Sequence, residues 1–255
     1  MELQSNSLNS PVLLNIAPGQ TFPLAHMAWG ADTSAPGLLC MGSDLSVSTL
    51  LQAYQHGIFP WFSDGEPILW WSPNPRMVLD VDKFRLHHSL KKTLKHFAGD
   101  TACTIRMDFA FEQVILACAT SQRYGQRGTW IVPEMVHAYI RLHQAGLAHS
   151  VETWVNDQLV GGLYCVAIGH AVFGESMFHR STDASKIALA ALVCFCHQHG
   201  ITHIDCQQNT QHLASLGARE MSRQTFIAEL DVFTRQPAPQ WHYSREYWTS
   251  LSFFS

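Results

Sequence analysis

Residues 149–178, HSVETWVNDQLVGGLYCVAIGHAVFGESMF, alternate between apolar and polar side chains and constrain the fold more than any other stretch. Alternation with a period of two is typical of half-buried β-strands. Asn156-Asp157 predicts a first hairpin turn, and Gly169-His170 predicts a second. Gly161-Gly162 indicates a β-bulge between the two turns. The stretch is therefore predicted to form an antiparallel meander.

Helical patterns lie on both sides of this meander. Apolar residues recur at helical spacing before it, and a further helix is predicted from about Thr182 to Gly200. Short strands are predicted from Arg76 and over ITHIDCQ, residues 201–207. This order predicts an α+β fold with a mixed, largely antiparallel sheet flanked by helices. We divide the chain into a small N-terminal domain of residues 1–75, a larger domain of residues 76–235 and an aromatic C-terminal tail of residues 236–255.

A tryptophan- and proline-rich segment, GIFPWFSDGEPILWWSPNPRMVL, joins the two domains over residues 57–79. Proline fixes φ and removes a backbone donor, so we expect neither a long helix nor a central strand here. Tryptophan combines a large apolar body with an N–H group that needs a partner. The segment is therefore predicted to form a rigid aromatic surface. Such a surface either holds two domains together or stacks on a flat ligand.

The charge balance argues against a protein that coats nucleic acid. The formal net charge is −4, and only 14% of the residues are charged. Contact with RNA would therefore need a local basic patch. One basic stretch lies on a predicted helix over residues 84–97, and its cations are Arg85, Lys91, Lys92 and Lys95. A solvated helix face would explain the same pattern.

Cysteine usage and the N-terminal sequence favour the cytoplasm. The seven cysteines include no CxxC pair, and we interpret them as buried thiols in a reducing compartment. MELQSNSLNS lacks the features of a signal peptide, and the longest apolar run, residues 187–196, is too short to span a bilayer. The 15 histidines show no zinc-site spacing, so we predict no metal site.

Several unusual motifs occur in one order along residues 36–230. They are AYQHGIFPWFSDGEPILWWSPNPRMVL, GTWI, AHSVETW, LVGGLYCVAIG, GESMFHR, DASKIAL, IDCQ and HLASLGA. Together they resemble bacterial leucyl/phenylalanyl-tRNA–protein transferases. One departure is Cys165, which stands where the family pattern GGLYG has a glycine.

The resemblance implies an activity and a fold. Family members transfer Leu or Phe, and less readily Met, from aminoacyl-tRNA to proteins whose N-terminus is Lys or Arg. The product carries a destabilising residue that marks it for degradation in the N-degron pathway. The resemblance also implies a small N-terminal domain, a larger N-acetyltransferase-like catalytic domain and no metal or nucleotide cofactor. We expect a cytoplasmic monomer whose partners are Leu-tRNA, Phe-tRNA and acceptor proteins, with no membrane contact.

The resemblance places Asp205 and Gln207 of IDCQ in the reaction centre. Residues two apart on a strand point to one face, so we expect both side chains on the same side of the sheet. The attacking α-amine has a pKa of about 7.7–8.0 and needs no strong base. A carboxamide is too weak to take a full proton. We therefore predict that Gln207 orients the amine and that Asp205 holds Gln207.

Aromatic and acidic residues are expected at the 3′ end of the tRNA. The resemblance implies that Trp61 stacks on the terminal adenosine and that Tyr54 and Trp130 lie near it. Glu175 is expected to meet the substrate amine or the ribose, and the alternative is a structural ion pair with Arg180. In this context the basic stretch around residues 84–97 would contact tRNA phosphates.

The amino-acid pocket is expected to accept Leu, Phe and Met and to reject the β-branched Ile and Val. An apolar slot that is tight near Cβ would discriminate by steric fit. The positions that match the family pocket are Leu163, Val172, Met177, Leu189, Leu192 and Ile204. Each of them alone would be interpreted as ordinary core.

Two other functions stay open at this point. An N-acyltransferase that uses acyl-CoA would have a Q/R-x-x-G-x-G/A turn, but RSTDAS occupies that place. A non-catalytic RNA- or peptide-binding module would use the aromatic segment and the basic helix, but it would leave IDCQ and GESMF without a role. The aromatic tail is expected to cover an apolar face rather than to bind a partner.

Overall fold

A computed structural model describes residues 11–121 and 131–253 of the chain. The strands are β1 (Leu14–Ile16), β2 (Leu38–Gly42), β3 (Phe59–Pro60), β4 (Leu69–Trp71), β5 (Arg76–Asp80), β6 (Cys103–Met107), β7 (Ala148–Val155), β8 (Gln158–Ile168), β9 (Ala171–His179), β10 (His203–Gln207) and β11 (Arg219–Met221). The helices are α1 (Val47–Gln55), α2 (His88–Gly99), α3 (Phe111–Thr120), α4 (Pro133–Gln144), α5 (Ala184–Gln198), α6 (Gln211–Ser215) and α7 (Arg223–Phe233). A 3₁₀ segment covers Arg245–Phe253.

The strands form one small and one large sheet. The four-stranded sheet has the order β1-β2-β4-β3, and the seven-stranded sheet has the order β11-β5-β10-β9-β8-β7-β6. In the large sheet β10 and β9 pair in parallel, and the other neighbours pair antiparallel. This confirms the predicted α+β class with a small N-terminal region and a mixed, largely antiparallel sheet. The domain boundaries at residues 75 and 235 remain a proposal.

The meander forms as the sequence predicts. Asn156 and Asp157 take φ values of 49° and 57°, which the short turn between β7 and β8 requires. A bulge falls beside Gly161, and the absence of a Cβ there lets α5 approach the sheet, since an added Cβ would lie 2.5 Å from that of Ala184. Thr153 Oγ1 donates to Ala184 O at 2.9 Å and fixes the start of α5.

The tryptophan- and proline-rich segment differs from the prediction in one respect. Its residues Leu69–Trp71 form β4, which lies between β2 and β3 and is therefore a central strand. The prolines border this strand rather than interrupt it, so its backbone donors stay available for pairing. Trp70 is fully buried, and its Nε1 donates to Gly42 O at 3.0 Å.

Two apolar cores lie on opposite faces of the large sheet. One core joins the small sheet and α1, α3 and α4 to residues such as Tyr164 and Phe173. The other joins α2 and α5 to residues such as Leu163 and Ile204. Within the part of the chain that the structure describes, no helix combines the length and hydropathy needed to cross a bilayer.

Candidate active site

A β-bulge in β10 sets the geometry of the site. Asp205 pairs with Val78 and Gln207 pairs with Met77, so Cys206 is an extra residue between them. Gln207 takes a left-handed φ of 57°. The bulge breaks the regular alternation of side chains: the Asp205 side chain meets Arg76, and the Gln207 side chain meets Glu175. The regular alternation on which the shared-face prediction rested is therefore absent between Asp205 and Gln207.

Asp205 is held by an arginine that the sequence analysis did not single out. Arg76 Nε and Nη2 donate to Asp205 Oδ1 and Oδ2 at 2.8 and 2.6 Å, and both residues are at most 2% exposed. Arg76 Nη1 donates to Gly57 O at 3.0 Å. The rings of Phe59 and Phe226 lie 4.9 and 4.6 Å from the guanidinium carbon. Such a bidentate, stacked arginine fixes the carboxylate in place.

Asp205 acts on Gln207 through the main chain. Its Oδ1 accepts the backbone N–H of Gln207 at 3.0 Å, across the bulge. The predicted contact between the two side chains is therefore replaced by a contact to the backbone. Asp205 is buried and is absent from the lining of the cavity described below, so its contact with Gln207 runs through the backbone.

Glu175 lies beside the Gln207 side chain at the centre of a polar network. Gln207 Nε2 donates to Glu175 Oε1 at 3.4 Å. Tyr54 donates to the same oxygen at 2.8 Å, and Tyr139 donates to Oε2 at 3.4 Å. Burial raises the pKa of Glu175 to about 8, although the tyrosine hydrogen bonds oppose the shift. The alternative for Glu175 was an ion pair with Arg180. In the structure its carboxyl oxygens accept from Gln207, Tyr54 and Tyr139.

A cavity of about 400 Å³ opens at this network. Its polar groups include Glu175 and Gln207, and Trp61 lies at its edge. Five of the predicted pocket residues line it, namely Leu163, Met177, Leu189, Leu192 and Ile204. The sequence analysis missed the remaining lining residues, which are Phe59, Pro60, Tyr164, Gly174, Ser176, Cys206, Gln208, Thr210, His212 and Leu213.

Two predicted site residues are absent from the cavity lining, and a third falls outside the described residues. Val172 pairs with Ile204 but is packed in the core, outside the cavity lining. Tyr54 is fully buried and is absent from the cavity lining, and it supports the Glu175 side chain through its hydrogen bond. Trp130 lies outside the described residues.

Trp61 is available to a ligand at the cavity edge. Its side chain is 36% exposed, which is high for a tryptophan. The Trp71 ring lies 5.3 Å from the Trp61 ring, and Trp71 Nε1 donates to Trp61 O at 2.7 Å. These contacts hold the Trp61 backbone while leaving part of its ring open for stacking.

The basic residues lie on the surface, and Arg85 lies beside one wall of the cavity. Leu90, Leu94 and Phe97 anchor α2 in the core, and the opposite side of the helix is exposed. Arg85 N donates to Leu216 O at 2.8 Å, at the end of α6, whose residues also line the cavity. The exposed cations of this stretch are Arg85, Lys91, Lys92 and Lys95.

The arrangement suits transfer of an apolar acyl group. An apolar floor can hold a side chain, while a carboxamide and a carboxyl group at the rim can hold a polar reacting centre. An exposed indole and a basic surface nearby can contact a base and phosphates. Arg76 and Tyr139, which support this rim, had little sequence signal. The only hint for Arg76 was that it begins one predicted apolar strand, while Asp205 is the carboxylate in another.

Comparisons with known proteins match most of the chain. The family model described as "Leucyl/phenylalanyl-tRNA protein transferase" matches residues 78–231, and the model of its N-terminal domain matches residues 43–74. The leucyl/phenylalanyl-tRNA–protein transferase of Albidiferax ferrireducens is 58% identical over 245 residues, which cover 96% of each chain. That of Polaromonas sp. is 59% identical over 92% of each chain. The crystal structure of FemX covers 72% of this chain and 70% of its own, with a TM-score of 0.44 and 10% identity.

Proposed function

The chain belongs to the leucyl/phenylalanyl-tRNA–protein transferase family, and on this premise we propose how it works. It is an enzyme that moves an aminoacyl group from tRNA to protein. Its donors are Leu-tRNA and Phe-tRNA, and less readily Met-tRNA. Its acceptors are proteins with N-terminal Lys or Arg, which the transfer marks for degradation in the N-degron pathway.

One observation carries the mechanism: Gln207 and Glu175 meet at the rim of an apolar cavity beside the exposed Trp61. The carboxamide nitrogen of Gln207 is turned toward Glu175. Its carbonyl oxygen is then the atom that accepts an N–H of the incoming α-amine. Glu175, Tyr54 and Tyr139 fix the orientation of this carboxamide.

The reaction needs positioning more than a strong base. The neutral α-amine attacks the ester carbonyl carbon and forms the C–N bond, and the bond from that carbon to the ribose oxygen breaks. The amine loses one proton and the ribose oxygen gains one, which leaves a peptide bond and a free hydroxyl. Holding amine and ester in line supplies up to about 7–11 kcal/mol of the barrier. The activated ester makes a metal or nucleotide cofactor unnecessary.

The donor is held at three places. The apolar floor of Leu163, Met177 and Leu189 receives the Leu or Phe side chain, and each misfit there is worth about 1–3 kcal/mol. Trp61 stacks on the terminal adenine, worth about 1–3 kcal/mol. The exposed cations of α2 contact tRNA phosphates.

The acceptor preference, the monomeric state and the cytoplasmic location belong to the same proposal. The family resemblance supports the requirement for N-terminal Lys or Arg. The cysteines of the described residues are free thiols, most of them buried, which agrees with a reducing compartment.

A transfer assay tests the proposal. Purified protein is mixed with tRNA charged with labelled Phe and with a peptide that starts with Arg, and a Gly-starting peptide serves as the control. We expect label on the Arg peptide alone, and its loss in Gln207→Ala. Gln158→Ala, at an exposed glutamine in β8, is the matched control and should transfer normally.

Three outcomes would contradict the proposal. Charged tRNA that binds without transfer to either peptide would indicate a binding module. Absence of both binding and transfer would redirect the search to acyl-CoA donors. Full transfer by Gln207→Ala would remove Gln207 from the mechanism.

A further inference from the structure

The C-terminal segment 241–251 lies across α5 and reaches the end of α2. Trp241 stacks on His149, with ring centroids 4.0 Å apart and planes 3° apart, and it also contacts Phe195 at 4.7 Å. Ser250 is fully buried and accepts a hydrogen bond from Gln198 Nε2 at 2.7 Å. The segment is therefore anchored to α5, which is itself packed into the core.

From this anchor, two side chains reach α2. Arg245 donates to Ala98 O from Nε at 3.2 Å and from Nη2 at 2.5 Å, and Nη2 also donates to Asp100 O at 3.2 Å. These carbonyls belong to the C-terminal end of the helix, where a cation interacts favourably with the helix dipole. Trp248 packs edge-on against Phe97 with ring centroids 6.2 Å apart.

α2 depends on such external contacts because its own stabilisation is weak. Its first turn contains no acidic residue, and among the described residues no side chain caps its N-terminal N–H groups. Lys91 and Lys95 are four residues apart on one face and repel each other. The helix is held by three core residues on its inner side and by the segment at its C-terminal end.

We infer that Arg245 and Trp248 are positioning residues for the donor tRNA. They hold α2 so that Lys91, Lys92 and Lys95 meet the phosphates while the charged 3′ end lies in the cavity. A basic helix that is already ordered loses less conformational entropy when the tRNA binds. The inference rests on the proposed function, because it assumes that tRNA is the donor. It assigns a role to the aromatic tail beyond covering an apolar face.

Comparison of two donors tests this role. One donor is full-length Phe-tRNA, and the other is phenylalanyl-adenosine, which keeps the ester and the adenosine but lacks the phosphates that α2 would contact. In Arg245→Ala we expect KM for Phe-tRNA to rise about five- to tenfold, with kcat unchanged and with unchanged kinetics on phenylalanyl-adenosine. Arg245→Lys should lie between the wild type and Arg245→Ala, since its ammonium still donates to the helix end. Arg235→Ala, at an exposed arginine paired with Asp231, is the matched control.

Direct binding of uncharged tRNA supplies a readout that is independent of transfer. The slope of log Kd against log salt should fall by about 1–2 in Arg245→Ala, as expected when one or two phosphate contacts are lost. Trp248→Leu, which removes the contact to Phe97 by another route, should change the slope in the same direction.

The results separate the inference from the proposed function. Equal losses with both donors, or an unchanged salt slope, would overturn the positioning role and leave a merely structural one. Wild-type protein that transfers from neither donor would overturn the proposed function. In that case the tRNA affinity of Arg245→Ala would still decide whether the segment positions α2.

Discussion

Arg76 and Asp205 form a bidentate ion pair between β5 and β10, and both side chains are almost entirely removed from water. The same carboxylate accepts the backbone N–H of Gln207. The ion pair thus fixes the backbone bulge that directs Gln207 into the cavity. A buried pair that does not line the cavity thereby controls the position of a residue that we place against the substrate.

Removing Arg76 should destabilise the fold and stop transfer. Arg76→Ala leaves the Asp205 carboxylate buried without its partner, which costs about 3–5 kcal/mol. Urea unfolding followed by circular dichroism measures this loss. Arg219→Ala is the control, because it breaks an exposed pair with Asp80 and should cost less than about 1 kcal/mol. Equal midpoints for Arg76→Ala and the wild type would contradict the structural role of the pair.

Glu175 should make stability depend on pH. Burial raises its pKa from the ordinary 4.5 to about 8, so between these values the folded carboxyl is protonated while the unfolded one is ionised. The unfolded state then binds fewer protons, and stability falls as pH rises through this window, by at most about 1.4 kcal/mol per pH unit.

The Glu175→Gln variant isolates this contribution because its side chain does not titrate. Unfolding free energies of both proteins are measured at pH 5, 6.5 and 8. The variant should gain stability relative to the wild type as pH rises. A difference that stays constant from pH 5 to 8 would mean that Glu175 titrates normally.

Widening the cavity floor should change the choice of amino acid. Met177 lines the cavity and is only partly buried, so Met177→Ala enlarges the pocket with little loss of core. The preference for Leu over Ile should fall about tenfold or more, since one misplaced methyl group is worth about 1–3 kcal/mol. Competition between Leu-tRNA and Ile-tRNA measures the ratio.

Val172→Ala supplies the matched control for that experiment. Val172 is buried outside the lining, so its truncation should lower stability by about 1–3 kcal/mol without changing the Leu/Ile ratio. A change of ratio in Val172→Ala equal to that in Met177→Ala would show that the cavity is not the amino-acid pocket.

Truncation of Trp61 should weaken donor binding, whereas truncation of the nearby Trp70 should lower stability. Trp61→Ala should lose about 1–3 kcal/mol of stacking free energy, so its KM for Phe-tRNA should rise. Its thermal unfolding should match that of the wild type, because Trp61 is partly exposed. Trp70→Ala removes a fully buried ring and should cost about 3–5 kcal/mol of stability. Donor titrations and thermal melts distinguish the two effects. An unchanged KM in Trp61→Ala would exclude stacking at this position.

Local signals in the sequence predicted much of the fold. The turn at Asn156-Asp157 forms because both residues tolerate a left-handed backbone, and that preference is a property of each residue. The turn at Gly169-His170 was predicted for the same reason, and Gly169 takes a φ of 59°. The bulge beside Gly161 was predicted because glycine within a strand often marks a bulge. The central strand β4 was not predicted, because the prolines around it suggested a break. Only the strand pairing shows that these prolines lie outside β4.

The candidate site was less predictable. Alternation along IDCQ suggested that Asp205 and Gln207 share a face, but a one-residue bulge interrupts that alternation between them. Tyr54 was expected near the tRNA end, and no signal in the sequence indicated its buried hydrogen bond to Glu175. Val172 carries the same apolar signal as Ile204, its sheet neighbour, yet only Ile204 reaches the cavity.

The sequence by itself determined the fold class, the family and part of the cavity lining, because periodicity, turn chemistry and long motifs are local properties of the chain. Only the tertiary structure decided which residues touch. Arg76 reaches Asp205 across 129 positions of sequence, and Glu175 meets Tyr54 across 121. The burial that raises the pKa of Glu175 and the bulge that turns Gln207 both arise when distant strands pair. No local pattern encodes these pairings, because a buried polar or charged group needs a partner to offset the cost of leaving water, and here that partner comes from a distant part of the chain.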